Sequence, residues 1–143
     1  MVDRKSAGTR IRNAVRHEPV RVLSFLEIVP LAYVKKSKTQ QIRMSFPSKE
    51  VSRLSAFPLR TVAGMIAVKK AVATLAAAVY GVRMSLREIS LTHSSIGIPR
   101  LLPLSPRVRS RIPAWQSIQI SISHTATHAF GLAAISVKES VHG

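Results

Sequence analysis

Residues Thr61 to Tyr80 read TVAGMIAVKKAVATLAAAVY, a run rich in alanine, free of proline and followed at once by Gly81. Alanine loses no side-chain entropy in a helix, and a glycine just past the last periodic residue supplies a left-handed C-cap. The run therefore predicts one long helix. Helical spacing sets Val62, Ile66, Ala73 and Tyr80 near one face, with Met65, Val72 and Ala76 at its edge. That makes it the central buried helix of the domain.

On the N-terminal side, VRVLSFLEIVPL from Val20 to Leu31 is β-branched and apolar in short runs, which predicts a buried strand ending near Pro30. Tyr33 to Gln41 is basic and reads as loop or weak helix. Ser45, Pro47 and Glu50 resemble a helix start, with proline in the first turn and an acid near the positive end of the dipole. On the C-terminal side, LREISLT from Leu86 to Thr92 alternates as a strand, SSIGIP from Ser94 to Pro99 reads as a turn, and a second strand follows at Arg100 to Leu104. Arg107, Arg109 and Arg111 form a basic connection. IQISIS from Ile118 to Ser123 alternates strictly and predicts a half-buried strand, with HAFGLAAISV from His128 to Val137 as its hairpin partner. The order of one strand, helices and then a run of strands predicts an α+β domain, a mostly antiparallel sheet packed on one long helix. Residues 1–16 read as a flexible basic arm and residues 17–143 as a single domain.

Composition narrows the chemistry. With 143 residues and 46% apolar content the chain can build a core without staples, and with no cysteine it has no disulfide, thiolate metal site or cysteine nucleophile. Lysine and arginine total 22 against six carboxylates, a formal charge of +16. Such a field draws polyanions: nucleic acid, an acidic protein or a phosphorylated cofactor. Asp3 is the only aspartate, so Glu18, Glu27, Glu50, Glu88 and Glu139 carry whatever acid or metal chemistry there is. A two-carboxylate magnesium site is hard to assemble from these. The start of the chain has no apolar signal core, and the longest apolar run, Ala71 to Tyr80, is too short to cross a bilayer, so a cytoplasmic protein without a membrane span is expected.

Four short motifs, in order, resemble the holo-acyl-carrier-protein synthases, the short single-domain 4'-phosphopantetheinyl transferases. They are VLSFLEI at 22–28, MIAVKKA at 65–71, GIP at 97–99 and SISH at 121–124. The resemblance covers most of residues 20–138. It implies an α+β transferase that moves the phosphopantetheine arm of coenzyme A to a serine of an acyl carrier protein. It further implies a homo-trimer whose sites lie between subunits, which would set Lys69 and the SISH strand across an interface.

The resemblance also marks departures. The aspartate that anchors magnesium in the family falls on Ser24 and the glutamate on Lys70; the arginine that follows the strand motif falls near Pro30, and the one that opens the helix motif falls on Met65. Lys69, Gly97, Pro99, Ser123 and His124 match. At about 4 Å and an effective dielectric of about 20, each unit of like charge costs on the order of 4 kcal/mol, so a lysine at the glutamate position repels a dication. Magnesium is not expected here. The resemblance makes Lys69, Gly97, Pro99, Ser121 and Ser123 candidates for binding coenzyme A or a phosphopantetheine arm, with Lys70 standing in for the ion and His124 as acid or base ahead of His93 and His128. Lys69 and Lys70 stand about 100° apart on a helix, so only one points straight into a cleft.

Three functions follow from this reading. The first is a family relative that binds acyl carrier protein or coenzyme A and acts on, or escorts, the tethered chain in fatty acid or polyketide-type biosynthesis without magnesium. The second is an active 4'-phosphopantetheinyl transferase with a rearranged site, in which lysines or a relocated carboxylate such as Glu27 replace the usual one. The third is a non-catalytic nucleic-acid-binding module using Lys35, Lys36, Lys38, Arg43, Arg53, Arg107, Arg109 and Arg111. It ranks below the others because only seven aromatics are available for stacking.

Overall fold

The computed structural model describes residues 20–93 and 98–138. Strand β1 spans Val20–Pro30, followed by helices α1 (Leu31–Lys36), α2 (Lys38–Ser45), α3 (Val51–Ser55) and the long α4 (Leu59–Tyr80). Short strands β2 (Leu91–His93) and β3 (Pro99–Leu101), helix α5 (Pro106–Arg109) and the hairpin β4 (Gln119–His124) and β5 (His128–Lys138) complete the chain. The strands form a three-stranded sheet in the order β1-β5-β4 and a separate β2-β3 ribbon. The chain divides into two units: Ser24–Ile135, which contains every site discussed below, and the chain ends, of which Val20–Leu23 and Ser136–Lys138 are described. The arm at residues 1–16, Gly97 and Glu139 lie outside the described residues.

Helix α4 begins two residues before the expected start, after Pro58, whose extended backbone leads into the first turn. It ends as the alanine run predicts. Gly81 takes φ 67°, its N–H donates to Ala77 O at 3.1 Å and the Val82 N–H donates to Ala76 O at 3.1 Å. The expected single apolar face is too narrow a description. Every residue from Val62 to Lys69 is buried, because the sheet covers one side and α1 to α3 the other. By length and composition α4 alone could cross a bilayer, although residues 71–80 could not; two-thirds of its apolar window is buried inside the fold, as in a core helix.

Alternation sets the two faces of the sheet. Antiparallel pairing puts Ile120 opposite Ala133, Ile122 opposite Gly131 and His124 opposite Ala129. Ile120, Ile122, Ala129, Gly131 and Ala133 face the helix, while Ser121, Ser123 and Leu132 face away. Gly131 sits so close to α4 that a β-carbon there would overlap the backbone of Ala67 and Val68. At Gly64 an added β-carbon would meet the Ile122 Cγ2 at 2.6 Å, a side-chain methyl rather than backbone.

Three expectations are corrected. β1 is not buried but an edge strand with one face open, leaving Leu26 56% and Ile28 51% exposed. Leu86–Glu88 is a 3-10 turn rather than strand, because Ser85 and Glu88, three residues apart, form a capping box that satisfies both backbone ends; only Leu91–His93 pairs, with Pro99–Leu101. The basic connection at 107–111 includes the short helix α5, opened by Pro106 at its first turn.

Gly131→Ala is expected to destabilise the fold by about 3 kcal/mol or more, since the obstacle is backbone. Gly64→Ala should cost less, about 1–2 kcal/mol, because the obstacle is one γ-methyl of the β-branched Ile122 rather than backbone and alanine favours the helix by about 1 kcal/mol. Urea unfolding midpoints of the two variants measure this, and equal losses would contradict the close approach at Gly131.

Candidate functional site

Lys69 and Lys70 are neighbours with opposite fates. Lys69 is 0% exposed. Its ammonium donates to Ser45 O at 2.7 Å and Leu86 O at 3.2 Å, and lies 3.9 Å from the centroid of the Phe46 ring. A cation there has no surface from which to reach a cofactor phosphate, so the cofactor-contact expectation for Lys69 is corrected to an internal tie. Burial pulls its pKa down from 10.5 to about 8, with the Glu50 carboxylate opposing part of the drop. Lys70 lies one position on, half-buried, its ammonium 6.0 Å from the centroid of the Tyr33 ring on α1. Of the two lysines it is the one with exposed surface.

The parity of β1 decides which side chain faces Lys70's helix. Phe25, Glu27 and Val29 point toward α4, whereas Ser24 shares the outer face with Leu26 and Ile28. Glu27, not Ser24, therefore reaches α4. The Thr74 hydroxyl lies 3.1 Å from Glu27 Oε1 and 2.9 Å from the Lys70 carbonyl, so its one proton is shared between the two acceptors. Divalent magnesium wants several oxygen ligands close together. Here one carboxylate, already bonded to the hydroxyl of Thr74, meets a helix that carries Lys70 one turn earlier, and this donor set does not fit a magnesium site. Among the described residues no group of three or more His, Cys, Asp or Glu is brought together.

The other candidates occupy separate surfaces of the chain. Ser121 and Ser123 are exposed on the sheet face opposite α4. His124 ends β4 on the helix-facing side and is exposed beyond the packed part of the sheet. His128 is half-buried, its Nδ1 2.8 Å from the Thr127 hydroxyl. His93 ends β2. Pro99 opens β3 and lines a cleft of about 660 Å³ with Arg100, Gln116, Gln119 and Ile120. Within one chain, then, Lys70, Pro99 and the serines do not converge.

A second cleft was not legible in the motifs. It measures about 680 Å³, with Phe57, Met65, Leu91 and Leu102 as apolar lining, Thr61, Ser90 and Thr92 as hydroxyls, and Lys49 and Arg53 as its cations. Arg53 is held by Glu50 at 2.9 Å and lies 5.7 Å from the centroid of the Phe57 ring. Its one sequence signal is Met65, the position where the resembled motif has arginine.

No protein-family model matches the chain, and no curated protein matches it in sequence. Solved structures do. The apo acyl-carrier-protein synthase of Chronobacterium ammoniagenes aligns with TM-score 0.64 at 15% identity over 85% of this chain and all of that one. The holo-acyl-carrier-protein synthase of Helicobacter pylori, solved in complex with coenzyme A, aligns with TM-score 0.58 at 22% identity over 80% of this chain and all of that one. The holo-acyl-carrier-protein synthase of Plasmodium yoelii gives TM-score 0.60 at 14% identity, over 85% and 100%. The chain has the fold of the holo-acyl-carrier-protein synthases.

The depressed pKa of Lys69 fixes the sign of one pH dependence. Between about 8 and 10.5 the unfolded chain holds a proton that the folded chain has released, so this lysine's contribution to stability rises with pH across that window. Lys69→Met should lose that slope. The wild-type minus variant stability, from urea unfolding, is expected to grow by on the order of 3 kcal/mol from pH 7 to above 10. A flat difference would mean that Lys69 titrates in water.

Proposed function

We propose that the chain is a divergent holo-acyl-carrier-protein-synthase-like protein that binds an acyl carrier protein, coenzyme A or both. In this reading it acts on, or escorts, the chain tethered to the carrier in fatty acid or polyketide-type biosynthesis, and works in the cytoplasm without the family's magnesium site. The observation that carries it is the fold match over four-fifths or more of the chain, among structures whose descriptions include bound coenzyme A and its 3',5'-ADP part. The chain's own chemistry agrees. A charge of +16 suits a strongly acidic partner, and Lys35 and Lys36 are exposed along α1 where such a partner can dock.

Lys70 is the residue proposed to meet the phosphates, as an ammonium held in place by the Tyr33 ring rather than as a metal ligand. His124, Pro99, Ser121 and Ser123, on separate surfaces of one chain, are the other proposed contacts, and Gly97 joins them by resemblance. In this reading the chain is a homo-trimer in which contacts from more than one copy gather around Lys70. The open sheet face supports self-association, since Leu26, Ile28 and Leu132 are 56%, 51% and 37% exposed on one side. Residues 17–143 act as one domain behind a basic arm at 1–16.

A second reading has one specific support, the inward placement of Glu27 beside Thr74. It is an active transferase in which Glu27 acts as the base. The carrier serine oxygen would form the new bond to phosphorus, 3',5'-ADP would leave with the electron pair of the broken bond, and the serine proton would pass to the carboxylate.

Two measurements decide between them. Isothermal titration should show binding of holo-carrier protein or coenzyme A, weakened about tenfold or more by Lys70→Glu through charge reversal. Apo-carrier protein incubated with coenzyme A, with and without Mg²⁺, should show no mass gain; a gain overturns the first reading in favour of the second. No binding to either ligand, together with a salt-dependent gel shift on unrelated DNA or RNA, would replace both with the nucleic-acid module.

A further inference from the structure

The buried tie at Lys69 has an outcome at the surface. Ser45 closes α2 and Leu86 opens the 3-10 turn after α4, and the one ammonium holds both carbonyls. Arg43 stands two residues before Ser45, Ser48 three after it, and Arg87 next to Leu86. The result is a hollow of about 340 Å³ lined by Arg43, Ser48, Val51 and Arg87. Arg87 Nη2 donates to the Ser48 hydroxyl at 3.1 Å, which fixes that guanidinium across the gap and leaves its other donors free.

Among the described residues no carboxylate lines the hollow. The acids nearest in sequence are engaged elsewhere: Glu50 pairs with Arg53 at 2.9 Å, and Glu88 Oε2 accepts from the Ser85 N–H at 3.2 Å. Among the described residues, no ion pair or hydrogen bond engages the Arg43 side chain. Two guanidiniums and a hydroxyl around one concavity, without a balancing acid, form the donor set that planar bidentate recognition of a phosphoryl group requires.

We propose that the Arg43–Ser48–Arg87 hollow binds a phosphate monoester, its oxygens between the two guanidiniums and its organic part against Val51. The volume exceeds that of a lone phosphate ion, and Val51 gives the excess an apolar wall. The site is separate from Lys70 and from both larger clefts, so it stands or falls without the function proposed above.

Isothermal titration of the full chain at constant ionic strength tests it, with inorganic phosphate and ribose 5-phosphate as probes. Both should bind at one site, the ester several-fold tighter. Arg43→Gln and Arg87→Gln should each weaken binding tenfold or more, Arg87→Lys less, and Arg111→Gln, an exposed arginine elsewhere, by less than twofold. Absence of binding overturns the proposal. So does an Arg111→Gln loss equal to that of Arg87→Gln, which would assign the binding to the +16 field as a whole. Equal affinity for the two probes overturns the ester in favour of free phosphate.

Discussion

One ammonium in the core governs the arrangement around it. A lysine with no exposed surface must have its donors satisfied, because a bare buried charge costs far more than any packing gain. Lys69 meets that demand with two backbone carbonyls and an aromatic face, and those partners come from three places: Ser45 at the end of α2, Leu86 after α4, and Phe46 between α2 and α3. The central helix is thus fastened to the segments on either side of it by charge as well as by apolar contact. Removing the ammonium strands two carbonyls, at about 1–3 kcal/mol each.

The other constraint is steric. Gly131 lets β5 rest directly on the backbone of Ala67 and Val68, and this fixes the height and register of α4 over the sheet. With the register fixed, parity does the rest. Glu27 is turned toward Thr74 and the Lys70 turn, while Ser24, Ser121 and Ser123 are turned outward. A single chain consequently presents its candidate residues on several surfaces. The proposed function gathers them by self-association through the open side of the sheet.

Much of the fold was legible in the sequence, and the reasons are local. The alanine run with its terminal glycine, and the strict alternation of IQISIS before HAFGLAAISV, each state one periodicity without competition. LREISLT alternates too, but Ser85 and Glu88 have the spacing of a capping box, and that short-range bonding won over strand pairing. β1 read as buried because its residues are apolar; its exposure depends on lying at the sheet edge, which no local pattern encodes. For the site, the four motifs found the frame but not the roles. Lys69 reads as a ligand contact only through the resemblance, and its carbonyl partners are 24 and 17 residues away in sequence. The Glu27–Thr74 bond spans 47 residues and carries no sequence signal. Comparison with known structures supports the frame at identities of 12–22%, a level at which the fold carries over but residue roles do not.

The account rests on Lys69 being an internal tie and Lys70 the ligand-facing cation. The most direct measurement follows the ¹⁵N signals of the two lysine ammoniums by NMR, as a function of pH and of added coenzyme A. The account predicts that Lys69 titrates near 8 and is unmoved by coenzyme A, while the Lys70 signal shifts on its addition. A Lys69 that titrates at 10.5 and responds to coenzyme A would contradict it.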